Sequence, residues 1–209
     1  MIDKIHKMPV MKNETIAVFD FDGTITKKDT LLEFIKFSKG KMLFFISFFI
    51  FTPLLVFMKL GLLPNYKVKQ KLFSFLYKGT SLENFNKHGE DFSKIIDKII
   101  FPEAIEKINS HKKNGDKIVI ISASIENWIK PWADKIGVTV VLATKIEIDK
   151  YGLLNGKFLT KNCYGQEKVN RFLEIFPNRT DYKLIVYGNS RGDKEIINLA
   201  DEKFFRKFK

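Results

Sequence analysis

Asp20 and Asp22 stand two residues apart in Ala17-Val18-Phe19-Asp20-Phe21-Asp22-Gly23-Thr24-Ile25-Thr26, at the end of an apolar run and just ahead of a glycine. Side chains alternate along a strand, so both carboxylates leave the strand end on the same side. Like charges held that close cost free energy unless a cation lies between them or one takes up a proton. A divalent metal bound by oxygen ligands, beside a carboxylate free to act as a nucleophile, resolves the conflict. A surface turn rich in Asp and Gly is the other reading of the same ten residues.

Three later segments carry groups suited to the same chemistry. Ile118-Val119-Ile120-Ile121-Ser122 reads as an apolar strand ending in a hydroxyl, with Ala123-Ser124 entering a helix. A serine there donates to an anion, and the helix start adds backbone donors; an ordinary N-cap would look the same. Lys168 falls at the start of a predicted helix, where the dipole does not favour a cation, so a specific anionic partner is expected. In Val186-Tyr187-Gly188-Asn189-Ser190-Arg191-Gly192-Asp193, an amide and a carboxylate follow a strong strand. A polar turn leading into a capped helix is the alternative there.

These groups need a scaffold that brings strand ends together. Strands are predicted at Ile16–Asp20, Lys117–Ser122, Val138–Ala143 and Lys183–Tyr187. Helices are predicted at Glu103–Lys113, Ile125–Ile136, Gln166–Ile175 and Asp193–Ala200, and a small hairpin at Lys145–Ile148 and Lys157–Leu159. Such alternation implies an α/β fold, a Rossmann-like parallel sheet flanked by helices, whose ligands bind at strand carboxyl ends. Between Thr30 and Ile100 the pattern is helical only, at Thr30–Ser38, Val68–Tyr77 and Ser81–Ile100 around a long apolar run. The expected organisation is a core of residues 14–29 and 101–209, with an all-helical cap subdomain of residues 30–100 inserted. The tail Phe204–Lys209 fits either a final strand or a basic membrane-seeking end.

Asp-x-Asp-Gly-Thr after a hydrophobic strand resembles motif I of the haloacid dehalogenase superfamily, and the serine, lysine and glycine-asparagine segments are similar to motifs II, III and IV in order. The likeness spans about Thr15 to Ala200, and the helical insert looks like the cap of the phosphoserine-phosphatase-like branch. Ser122-Ala123-Ser124, Asn162-Cys163-Tyr164-Gly165 and Tyr187-Gly188-Asn189-Ser190 are similar to a group that includes phosphatidylglycerophosphate phosphatases. The resemblance implies a Mg²⁺-dependent phosphomonoester hydrolase in which Asp20 forms an aspartyl-phosphate. Asp22 would act as acid and base, its backbone carbonyl binding metal, and Lys168 would stabilise phosphate and nucleophile. It places Gly23, Thr24, Ser122, Ala123 and Lys168 around the phosphate, and Asp20, Asp22, Asn189 and Asp193 around Mg²⁺. Motif IV usually carries an acid where this chain has Asn189, which weakens the metal site on paper. The substrate would be a small metabolite such as phosphoserine, or a phospholipid head group; a non-catalytic phosphate-binding protein is the rival.

Met42 to Met58 contains no charge and is flanked by Lys39, Lys41 and Lys59. Spanning a bilayer takes about 20 apolar residues, and a single span would put motif I and the later motifs on opposite sides, so it is excluded. Pro53 is expected to break or kink the run, leaving an arm from Met42 to Thr52 of about 16 Å. A run apolar on all sides needs covering, by protein (its own or a second copy) or by a membrane surface. The chain has 209 residues, 45% hydrophobic, and a net charge of +12 from 36 basic and 24 acidic residues. Those bases are overwhelmingly lysines scattered along the chain without a stacking motif, so no nucleic acid is expected as partner. A lone cysteine, Cys163, and an N-terminus, Met1 to Met11, without a continuous apolar run point to the cytoplasm, at the inner membrane face if the apolar run meets lipid.

Overall fold

In the computed structural model, the structure describes Met8 and residues 14–208; the charged segment Met1 to Met11 lies outside them except for Met8. Five parallel strands form the central sheet in the order β3-β2-β1-β6-β7. These are β1 (Glu14–Asp20), β2 (Lys117–Ile125), β3 (Val140–Thr144), β6 (Tyr182–Gly188) and β7 (Glu202–Phe205). A parallel sheet is covered on both faces, which is why its strands read as unbroken apolar runs. Alternation sorts them: Ala17, Phe19, Ile118, Ile120, Ile185 and Tyr187 join one hydrophobic cluster, while Ile16, Val18, Val119, Ile121, Leu184 and Val186 join another on the opposite face. The strand assignments thus carry both layers of the core.

Helices α4 (Pro102–Lys113), α5 (Glu126–Lys135), α6 (Gln166–Ile175) and α7 (Lys194–Leu199) flank the sheet, and a hairpin of β4 (Ile146–Ile148) and β5 (Leu154–Phe158) stands beside it. The helical insertion comprises α1 (Thr30–Lys59), α2 (Asn65–Tyr77) and α3 (Leu82–Ile96). Phe34, Tyr77, Phe85, Phe92 and Trp128 pack as neighbouring rings beneath it. The insertion therefore rests on α5, which follows directly from β2.

Two expectations change. The helical break falls at Gly40 (φ 80, ψ 161), and Pro53 sits within helical backbone. A positive φ costs glycine almost nothing and other residues much more, so the chain bends where glycine is. The apolar arm consequently runs unbroken from Lys41 to Lys59, about 27 Å rather than 16 Å. Second, β2 continues beyond Ser122 to Ile125 through a register shift, with Ile125 opposite Thr144. Helix α5 begins only at Glu126, so its N-terminal donors lie four residues beyond the serine expected to precede them. Of the tail, Phe204 and Phe205 belong to strand β7, which pairs with β6; Phe204 stacks on Tyr187 at 4.7 Å, Phe208 is buried, and Lys209 lies outside the described residues.

Candidate active site

Strand β1 is paired with β2 on one side and β6 on the other, so Asp20 and Gly188 end their strands beside Ser122 of β2, at one edge of the sheet. Ligands in open parallel sheets gather at this edge. Asp20 is buried there. Its Oδ1 accepts from Lys168 Nζ at 2.6 Å, and Thr24 Oγ1 donates to its Oδ2 at 3.3 Å. Lys168, in the first turn of α6, is 2% exposed and donates to Asp193 Oδ1 at 2.6 Å and to the Ile121 carbonyl at 3.2 Å. The anionic partner expected from its position at a helix start is thus a pair of carboxylates.

Burial pushes the Asp20 carboxyl up to about 7; Lys168 opposes the rise, while Asp193 and Asp22 add to it. Burial would lower the Lys168 ammonium, but Asp20 and Asp193 outweigh it and hold the lysine charged. Burial likewise would raise Asp193, and Lys168 reverses it. The three groups form one buried network, in which every charge depends on the others.

Asp193 is saturated. Its Oδ2 accepts from the amides of Asn189 and Ser190 at 3.1 and 2.9 Å and from Ser190 Oγ at 2.8 Å. Asn189 differs: its buried Oδ1 has no hydrogen-bond partner. The amide is wedged against Gly23, whose φ is +79 and where a Cβ would lie 2.0 Å from Asn189 Nδ2. Both the left-handed backbone and the close approach require glycine. Gly23→Ala is expected to cost roughly 2–4 kcal/mol and to displace Asn189, measurable as a lowered urea midpoint with turnover lost in proportion.

Asp22 projects into the same cleft. Its Oδ1 accepts from the Thr30 amide (2.7 Å) and hydroxyl (2.6 Å), and its Oδ2 from Ser124 Oγ at 2.5 Å. Trp128 Nε1 donates to Thr30 Oγ1 at 3.2 Å, fixing that hydroxyl from behind. Asp29 is the N-cap of α1, accepting from Leu32 N. The adjacent pair Asp29 and Thr30 is therefore divided between capping and orienting Asp22. Ser122, fully buried, accepts from the Ser124 amide at 3.0 Å, and the Ser124 hydroxyl is the one that donates to Asp22.

The cleft encloses about 410 Å³. Asp20, Asp22, Ala123, Ser124 and Lys168 lie on its polar side, facing an apolar side of Leu31, Phe48, Leu55, Met58, Val68 and Leu72. Lys69 of α2 reaches in, donating to the Ala123 carbonyl at 2.6 Å, and burial lowers its ammonium. Lys69 and Ser124 are not among the residues expected from motifs, and Thr30, like Asp29, reads in the sequence equally as facing the substrate or as capping the next helix. Lys69 is one lysine in a lysine-rich helix, and only packing of α2 over the sheet edge distinguishes it.

Protein CicA of Caulobacter vibrioides is 30% identical over 200 residues, covering 93% of this chain and 86% of its own. A Bordetella pertussis Tohama I protein of unknown function superposes with a TM-score of 0.74 at 18% identity, over 89% of this chain and 86% of that one. Phosphoserine phosphatase from T. onnurineus gives a TM-score of 0.61 at 21% identity, over 96% and 87%. The haloacid dehalogenase-like hydrolase family itself matches residues 17–197. With both acids of its first motif at the sheet edge and a helical insertion over them, the chain belongs to the haloacid dehalogenase-like hydrolases, with a fold close to that of phosphoserine phosphatases.

Proposed function

We propose that the chain is a Mg²⁺-dependent phosphomonoester hydrolase in which Asp20 is the nucleophile. The observation that carries this reading is the Asp20–Lys168–Asp193 network with Asp22 beside it on one wall of a cleft. Asp20 attacks phosphorus, and the alcohol leaves with a proton from Asp22. Asp22 then takes a proton from water, which attacks the aspartyl-phosphate and releases phosphate and the free carboxylate. Ser124 and Thr30 hold Asp22 in place for both transfers. Lys168, its three hydrogens directed at Asp20, Asp193 and the Ile121 carbonyl, favours the ionised form of Asp20 against burial and sets a positive charge beside the nucleophile. Helices α1 to α3, within residues 30–100, act as the cap that keeps water out and contacts the leaving group.

Family membership implies a divalent metal, and the residues fit one. Among the described residues no three His, Cys, Asp or Glu side chains converge on a common point. A cation here would therefore draw on the Asp20 carboxylate, the Asp22 carbonyl and the unpaired Asn189 Oδ1, all hard oxygens. Asp193, saturated by Lys168 and loop hydrogens, supports this set by orienting the loop that carries Asn189. The metal, when bound, neutralises phosphoryl charge. Gly23, Thr24, Ser122 and Ala123 complete the surroundings of the phosphate, through their backbone or through Ser124.

The apolar side of the cleft favours a phosphomonoester whose alcohol carries apolar groups, as a phospholipid head group does, over a fully polar metabolite. Phosphate release is to be measured from an aryl phosphate, phosphoserine and phosphatidylglycerophosphate, with Mg²⁺ and with EDTA. Release dependent on Mg²⁺, greatest for the lipid, is expected; release only from phosphoserine would assign the soluble role, and none from any substrate the binding role. Asn189→Ala should weaken the Mg²⁺ dependence of turnover about tenfold, and Asn189→Asp should tighten it by a similar factor, because ligand charge sets affinity at oxygen sites.

A further inference from the structure

Helix α1 is covered on one side only. Phe44, Ser47 and Phe51 are buried against the protein, and Phe48, Leu55 and Met58 face the cleft. Met42, Phe45, Phe49, Val56, Phe57 and Leu60 are exposed, Phe49 to 82% and Met42 to 78%. Met42, Phe45, Phe49, Val56 and Leu60 follow one another at three, four, seven and four residues, which places them along one stripe, with Phe57 beside it. By length and composition the helix could cross a membrane. It does not: β1 before it and β2 and β6 after it lie in one sheet, so both its ends stay on one side.

We propose that this stripe docks into the surface of an anionic bilayer, with α1 lying along the interface. Charge selects the occupant. From Phe34 to Leu82 the chain has eight lysines and no Asp or Glu, and Lys41, Lys59, Lys67, Lys71 and Lys78 are exposed. Lysines at both ends of the apolar helix reach head groups while the stripe enters the acyl boundary. A second copy meeting this face through a two-fold axis would set the same unneutralised lysines against one another. Anionic head groups supply the missing charge. The docking goes beyond the phosphatase reading and does not depend on it.

Sedimentation with vesicles tests the proposal, using phosphatidylcholine alone and phosphatidylcholine with phosphatidylglycerol in equal parts. The protein is expected to pellet with the mixed vesicles, less with phosphatidylcholine alone, and less as salt is raised. Phe45→Ser combined with Phe49→Ser, outside the cleft, should cut partitioning at least about tenfold while leaving turnover of a soluble aryl phosphate unchanged. Binding by a protein that hydrolyses nothing would support docking and count against the phosphatase reading alone. Protein that stays in the supernatant with both vesicle types overturns the proposal, and so does a double variant that pellets like the wild type. A dimer dissociated by the same double variant, without lipid binding, would assign the stripe to a second copy instead.

Discussion

Asp20→Asn is expected to lower phosphate release by about five orders of magnitude, the scale seen when a covalent nucleophile is removed. The substitution keeps the side chain's shape at a buried strand end and removes only its charge. Lys168 retains Asp193 at 2.6 Å and the Ile121 carbonyl at 3.2 Å, so its ammonium is not stranded. Burial already opposes ionisation of Asp20, raising its pKa to about 7, so an uncharged amide suits the site better than the carboxylate does. Stability should therefore change by less than about 2 kcal/mol, measured by urea unfolding alongside activity. Acid-quenched wild-type enzyme should carry a phosphoryl group on Asp20 by mass spectrometry, and the variant none. Normal turnover in a folded Asp20→Asn protein would remove the covalent mechanism.

How far the sequence discloses this site depends on the range of the interactions involved. Asp20 and Asp22 are legible because their cause is local: an apolar strand ends, alternation aligns two acids, and glycine turns the chain. Lys168 is legible for a related reason, since a cation in the first turn of α6 needs an anionic partner that the dipole does not supply. Helix α6 itself spans Gln166–Ile175 as its pattern implies. Ser124 and Lys69 are not legible, and Thr30 is legible only as a choice between helix cap and substrate contact, because their roles come from contacts between elements far apart in the chain. Thr30 and Ser124 are ninety-four residues apart yet meet on Asp22. The end of β2 was misplaced because Ser-Ala-Ser reads as a helix cap, whereas pairing of Ile125 with Thr144 carries the strand onward. Pro53 reads as the breaker in sequence terms, although the bend falls at Gly40 with a positive φ that only glycine takes cheaply. The extent of the uncovered stripe on α1 followed only once the bend was placed, since a helix continuous past Pro53 exposes Val56, Phe57 and Leu60 with the rest.

Lys168→Met should damage both stability and activity, in a way that separates charge from packing. The variant fills much of the same volume but removes the cation between Asp20 and Asp193. Two buried carboxylates then face each other unneutralised, a loss of about 3–5 kcal/mol for breaking a buried ionic network. Part of that loss is recoverable by protonation. Asp20 lies at about 7 even with the lysine present, pushed up by burial and by Asp193 against the pull of Lys168. Without Lys168 it moves further up, and a group whose folded pKa is raised contributes stability at low pH that disappears as pH rises through that value. The variant should therefore be least stable at about pH 8 and regain stability toward about pH 5, the wild type showing a smaller difference. Turnover should fall roughly a thousandfold from the lost positive charge beside the nucleophile. Urea unfolding at the two pH values decides the point. A deficit equal at both would mean that Lys168 serves by packing, and the buried charge network would cease to explain why this lysine stands at a helix start.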